Sequence, residues 1–320
     1  MNNGTNILDG FIPEQDASIV TLLLEAGATI TGKASCENLC LSGGSHTNDF
    51  GTVLNPRNPK FSSGGSSSGS AALLASDEVD IAIGGDQGGS IRIPSSWCGV
   101  VGLKPSYGLV SYTGAFPIEQ SLDHLGPMAR NVADVALTLD VISVPDGLDP
   151  RNKHTRKKYF LNALNDDVSG LRVGLVTESL AWPGISDPDV SSAIKKLAKD
   201  IKSTGIHTEE ISIPEHKYGM HIWNAIAIEG AYTQMFRNQV NGKNWKGLYD
   251  TNLGNFFSQG LEKNMDQLSD TGKLIFLMGT YMTQKYNGKH YASAQNQAIW
   301  LTTAFDQKLN HFDALLMPTT

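Results

Sequence analysis

Eleven of the chain's 33 glycines fall between Gly64 and Gly114. They centre on two runs that also carry serine, Gly64-Gly-Ser-Ser-Ser-Gly-Ser70 and Gly84-Gly-Asp-Gln-Gly-Gly-Ser90. Residues without a Cβ at this density mean backbone that turns sharply or lies pressed against a neighbour. Whatever surrounds these runs has to accommodate two close approaches of bare main chain.

The flanking sequence alternates helix and strand signals. Asp16 precedes a helix over Ala17–Ala26, with Gly27 as its stop, and a short strand is expected over Ala28–Lys33. Ala71–Ala75 reads as helix, Val79–Gly84 as a buried strand, and Asn131 opens a capped helix to about Val141. Further on, Leu171–Val176 and Glu209–Ile213 read as strands. Asp187-Pro188 starts a helix ending near Gly205, residues 218–236, 271–286 and 290–310 are helical, and Ala314–Met317 is a strand. The alternation predicts an α/β fold, taken as one domain over residues 1–320.

Composition narrows the function classes. Lys+Arg number 25 against 32 Asp+Glu, a net charge of -7, and no basic cluster offers an electrostatic footprint for nucleic acid. No apolar run approaches ~18 residues, and the first ten residues lack a basic segment followed by an apolar one, so neither a membrane span nor a secretory signal is expected. A cytoplasmic location is the expectation. Cys36, Cys40 and Cys98 are too few for a disulfide framework and fit a reducing compartment. Cys36-x3-Cys40 has no second Cys or His pair at metal-site spacing, so no metal is expected.

Three chemistries compete for the glycine runs. Gly65-Ser-Ser-Ser-Gly69 matches a G-x-S-x-G nucleophile elbow, but no buried strand leads into it. Neither run is followed by the Lys of a phosphate-binding Walker loop. The third reading takes both runs together. Ser90 follows Gly88-Gly89, which leave its hydroxyl accessible and their N–H groups able to converge on a developing oxyanion. A serine hydroxyl needs an adjacent base, and Ser66 on the first run could relay the proton.

This pair of runs resembles the amidase signature family. The resemblance rests on Gly64–Ala72, on Gly84–Pro105 including Ser90-Ile-Arg-Ile-Pro-Ser-Ser-Trp-Cys-Gly, and on Gly108-Leu-Val and Ser121-Leu-Asp-His-Leu-Gly-Pro127. Gly27-Ala-Thr-Ile-Thr-Gly-Lys33 and Phe312-Asp-Ala-Leu-Leu-Met-Pro-Thr319 extend it. It implies an α/β/α sandwich with a mixed β-sheet, incomplete in this chain, and a Ser–cis-Ser–Lys set that needs no cofactor. By motif position Ser90 is the nucleophile. Ser66 is the bridging serine, cis to Gly65, and the 24-residue separation matches the family's. The N–H groups of Gln87, Gly88, Gly89 and Ser90 form the oxyanion hole. Ser67, Asp86 and Arg92 support the loops from behind, the last two also reading as an ion pair that fixes the turn. The family's lysine lies upstream of the Gly27–Lys33 stretch and no residue here matches it. Relatives also continue beyond Thr319, so the chain reads as partial at both ends.

The implied reaction is hydrolysis of a small carboxamide to carboxylic acid and ammonia through an acyl-Ser90 ester. Tyr112–Gln120 looks like the insert of the enantioselective nitrile-pathway amidases. The alternatives are a glutaminase-type subunit of an amidotransferase, or a non-catalytic protein of the same fold, because the lysine is unmatched. The partner is the carboxamide itself, with a homodimer admitted. Asp123 and His124 read as structural, and Cys98 as a small core residue. Trp223, Tyr232, Phe236 and Phe276 read as core rather than pocket lining. Lys33 reads as a strand end, Lys104 as lying beside a turn, and Lys199-Asp200 as a solvated face.

Overall fold

The computed structural model describes residues 1–153, 159–180, 182–243 and 245–320. In chain order the elements begin α1 (Ser18–Glu25), α2 (Ser68–Ala75), β1 (Ile81–Gly85), α3 (Arg92–Cys98), β2 (Val101–Gly102), β3 (Leu125–Ala129), α4 (Val132–Ile142) and α5 (Phe160–Ala163). They continue β4 (Arg172–Val176), α6 (Pro188–Asp200), β5 (His207–Ile211), α7 (Gly219–Ala231), α8 (Thr251–Asn264), α9 (Asp270–Tyr286), α10 (Lys289–Leu309) and β6 (Ala314–Leu316). Helices and strands alternate, as an α/β chain requires. The chain forms two compact units, Met1–Leu164 with Ala227–Lys285, and Asn165–Ile226 with Tyr286–Thr320. No helix among the described residues is long and apolar enough to cross a membrane.

The first unit holds an antiparallel sheet ordered β1-β3-β2, with Ile81 opposite Ala129 and Gly85 opposite Leu125. Its central strand carries Pro127, a residue that normally argues against a central strand. The ladder to β2 ends at Gly102↔Met128, and Pro127 only accepts, from the Leu103 N–H at 3.0 Å. The missing donor therefore falls where pairing has already stopped. Ala71 and Leu74 of α2 pack on Ile91, Cys98 and Met128 to close one core; Ile19, Leu23, Val110, Leu139 and Ile142 close another. The largest core gathers Ile7, Leu8 and Phe11 around Phe257 of α8, with Phe116 at 5.4 Å between ring centroids. Tyr232 and Phe236 flank Phe276 at 5.8 and 5.4 Å, in the core role expected for them, while Trp223 lies half-buried in the other unit.

In the second unit β5-β4-β6 is a parallel sheet, with Val173 opposite Thr208 and Ala314. Its apolar contacts are Val176, Ile211, Ile213 and Phe312 in one cluster, and Leu175, Leu180 and Ala198 in another. Asp187 caps α6 by accepting from the Asp189 N–H at 2.8 Å, with Pro188 in the first turn, as the sequence predicts.

Three local expectations are corrected. Residues 28–33 form no strand; they are exposed and find no pairing partner among the described residues. Asp16 does not cap α1, because Ala17 occupies the N-cap without a side-chain bond. The helix expected over 218–236 is α-helical to Ala231 and widens into a π-turn over Tyr232–Arg237.

Candidate active site

The first glycine run is held against residues 35–44. The Gly65 N–H donates to the Gly43 carbonyl at 2.8 Å, and a Cβ on Gly65 would stand 1.9 Å from the Gly44 carbonyl oxygen. A Cβ on Gly69 would meet Ser35 N and O at 2.6 Å each. Close approach thus accounts for these glycines, while Gly64 also needs its positive φ of 76°. The Gly65–Ser66 peptide bond is cis. Ser66 is buried, and its carbonyl accepts the Glu37 N–H at 3.1 Å.

The second run leaves β1 at Gly85 and is tied directly to the first. The Ser67 N–H donates to the Ser90 carbonyl at 3.2 Å, and Ser67 Oγ stands 3.2 Å from both the N–H and the carbonyl of Gly85. Inside the run, Asp86 is the organising group. Its fully buried carboxylate accepts from the Gly89 N–H (2.8 Å), the Ile91 N–H (3.1 Å), and Arg92 Nε and Nη2 (2.9 and 2.8 Å). Burial alone would raise the Asp86 pKa. The Arg92 guanidinium and the loop N–H groups outweigh burial and hold it below its ordinary value. The ion-pair reading of Asp86 and Arg92 matches this geometry. The Gly89 N–H, expected to face an oxyanion, is donated to Asp86. Gly88 is exposed and Ser90 half-buried.

Behind the run, Gln87 Nε2 donates to Tyr112 Oη and Asp123 Oδ1, both at 3.0 Å. Asp123 also accepts the backbone N–H groups of Ile118 and Glu119 at 3.2 Å. Burial pushes its carboxyl up to about 7, and the charge of Glu119 adds to the rise. A cavity of about 80 Å³ is walled by Tyr112, Asp123, Asp149, Arg151 and Trp245, among others; neither Ser66 nor Ser90 lines it. Its cation is spoken for: Arg151 pairs with Asp149 at 2.8 Å and lies 5.1–5.4 Å from the rings of Tyr107, Tyr112 and Trp245.

Ser66, Ser67, Asp86, Gln87, Gly88, Gly89 and Ser90 therefore belong to two hydrogen-bonded loops, with Arg92 at the start of α3 paired to Asp86. Of the lysines, Lys33 is exposed, and Lys104 donates to the Pro105 carbonyl at 3.0 Å with its pKa lowered by burial and by Arg92. Lys199 is exposed. Cys98 is fully buried, and burial pushes its thiol up to about 11. Three neighbours escape the sequence reading. Tyr112 reaches Gln87 from the insert. Glu37, buried, accepts the Thr47 N–H and hydroxyl at 3.1 and 2.7 Å. Cys40 has its thiol pKa lowered in part by the Ser66 side chain. The Cys36-x3-Cys40 spacing was the available signal, but on its own it speaks only of metal.

The Amidase family model matches residues 2–320. An enantioselective amidase of Rhodococcus rhodochrous is 44% identical over 323 residues, covering 100% of this chain and 62% of the relative. The A-type chain of the glutamyl-tRNA(Gln) amidotransferase of Methanosarcina mazei is 35% identical over 99% of this chain and 65% of its own length. The chain thus spans less than two thirds of either relative. Among solved structures, the native peptide amidase of Stenotrophomonas maltophilia superposes with a TM-score of 0.75 at 28% identity, over 93% of this chain and 61% of that one.

Proposed function

The chain belongs to the amidase family, and on that premise we propose that it hydrolyses small carboxamides to carboxylic acid and ammonia, with Ser90 as nucleophile and Ser66 as proton relay. What supports this reading above all is the joining of the two loops through the Ser67 N–H and the Ser90 carbonyl. A nucleophile and its relay have to be held in register before a substrate arrives, because misplacement is costly in rate.

The chemistry follows from the residue types. Ser66 draws the proton from Ser90 as its oxygen attacks the amide carbon. The negative charge then grows on the carbonyl oxygen, and the Gln87 and Gly88 N–H groups are its donors in this reading, fixed by Asp86 and Asp123 so that nothing reorganises during the step. Ammonia leaves with the proton returned through Ser66, and water cleaves the ester on Ser90. The group that takes the proton from Ser66 is a lysine in the family's pattern. Residues 1–320 supply no match to it, and the Ser66 side chain acts on the pKa of Cys40 instead. The 44% identity to an enzyme named an enantioselective amidase favours amidase activity over the glutamine-hydrolysing alternative.

A serine-directed fluorophosphonate tests the nucleophile without requiring turnover. Labelling of the wild-type chain should map to Ser90, vanish in Ser90→Ala and slow by about 10²–10⁴ in Ser66→Ala. Ammonia release from an aromatic carboxamide should follow the same order. Label on another serine, or equal rates in Ser90→Ala, would sink the assignment.

A further inference from the structure

Two of the three thiols meet at one side-chain oxygen. Cys36 and Cys40 place their sulfurs 3.5 and 3.2 Å from one shared acceptor, Asn3 Oδ1. The two thiols perturb each other's pKa, and the Ser66 side chain perturbs that of Cys40. The chain between them folds back on itself, the Cys40 N–H donating to the Glu37 carbonyl at 2.8 Å. The other amide end of Asn3, Nδ2, is buried without a partner, so the polar contacts around the pair are incomplete. Both cysteines are half-buried, whereas Cys98 is sealed in the core. An open cleft of about 380 Å³ is lined by Lys33, Ser35 and Asn48, next to Cys36 along the chain and through Asn48 Nδ2, which donates to the Cys36 carbonyl at 2.6 Å; neither cysteine lines it. A packing role explains one buried thiol. It does not explain two half-buried ones sharing a single acceptor.

We propose that Cys36 and Cys40 form a thiol–disulfide site that reacts with small disulfides of the glutathione class, and that closing it alters the surroundings of Ser66. The thiols are unequal. The Cys36 and Ser66 side chains hold the Cys40 pKa below its ordinary value, while Cys40 and burial push that of Cys36 well above. Cys40 is therefore the attacking group. Its thiolate attacks one sulfur of glutathione disulfide, the S–S bond breaks, and one glutathione leaves as thiolate and takes up a proton. With Cys40 now neutral, Cys36 loses its proton more readily, attacks the Cys40 sulfur and expels the second glutathione. The protein gives up two protons and two electrons, and one glutathione disulfide becomes two glutathiones. The Lys33 ammonium at the cleft offers a cation to the carboxylates of the reagent. The disulfide stands on the thiols alone; its effect on Ser90 rests on reading Ser66 as the relay.

Trypsin releases Ala34–Arg57, which contains Cys36 and Cys40 but not Cys98. After exposure of the folded chain to glutathione disulfide, this peptide should lose two hydrogens and resist alkylation, while Cys98 stays a free thiol. Cys36→Ser should stop at a mixed disulfide on Cys40, and Cys40→Ser should react about tenfold more slowly or less. Circular dichroism establishes that each variant is folded, with alanine replacements as the second pair. A peptide that keeps two alkylatable thiols in the folded chain, or a wild-type mixed disulfide that never resolves, would overturn the site. Fluorophosphonate labelling of Ser90 is the separate readout for the link. It should fall severalfold on oxidation and recover with dithiothreitol, and unchanged labelling of a proven disulfide form would overturn the link alone. Absence of labelling in the reduced chain would count against the proposed function and leave the mapped disulfide intact.

Discussion

A single buried carboxylate does most of the shaping of the second loop. Asp86 accepts two loop N–H groups and both arms of Arg92, and an amide in its place could not accept from all of them. Asp86→Asn should therefore cost about 3 kcal/mol of stability, no more, because the Arg92 side chain is 46% exposed and finds water. Urea denaturation measures that loss, and slower labelling of Ser90 should accompany it. Asp123 acts in the opposite electrostatic sense. Its pKa is raised from the ordinary 3.8 to about 7, so between these values the folded state binds the proton that the unfolded state has released. Stability from this group is greatest below pH 4 and falls as pH rises to about 7, by at most about 4 kcal/mol. Asp123→Asn, which does not titrate, should flatten the difference between urea midpoints at pH 5 and pH 7.5; an unchanged pH difference would refute the assignment. Residue types at fixed spacing made Ser66, Asp86, Ser90 and Arg92 legible in the sequence. Tyr112, Glu37 and Cys40 were not, because they reach the loops through contacts 25 or more residues distant in sequence, and no local pattern encodes these.

Elements were legible where their ends carry chemistry. Asn131 and Asp187 cap α4 and α6 through their side chains, and both starts follow from the sequence. Strand β3 has no strand signature in the sequence, since Pro127 argues against a central strand and only the early end of β2 makes it tolerable. Helix α8 is hidden as well. Its apolar face is broken by Gly254 and Gly260, and the reason is packing: a Cβ on Gly260 would stand 2.1 Å from the Ile7 carbonyl oxygen. In an exposed helix, glycine to alanine gains up to about 1 kcal/mol. Here the obstacle is main chain, and overpacking of that kind costs about 1–3 kcal/mol or more. Gly260→Ala should therefore destabilise the first unit, lowering its denaturation midpoint, whereas helix propensity alone predicts a rise.

At the scale of the whole molecule, the two glycine-serine loops, Asp123 and both half-buried thiols fall in the first unit, as do the cores around Phe257, Ile142 and Met128. Among the described residues, the apolar clusters of the second unit draw only on its own side chains. Separate cores allow separate opening, and native-state hydrogen exchange reads this directly. Ile213 is 1% exposed in the core beside β5, and truncating it to alanine removes buried methylenes worth about 2–4 kcal/mol. If the units open independently, amides in Arg172–Val176 and His207–Ile211 should exchange about 30- to 1,000-fold faster in Ile213→Ala. Those in Ile81–Gly85 and Leu125–Ala129 should hold their rates, because no contact within their own sheet has been lost. Equal acceleration in both sheets would mean that residues 1–320 open as one cooperative domain. In that case the loops bearing Ser66 and Ser90 would owe their order to the second unit as much as to Asp86.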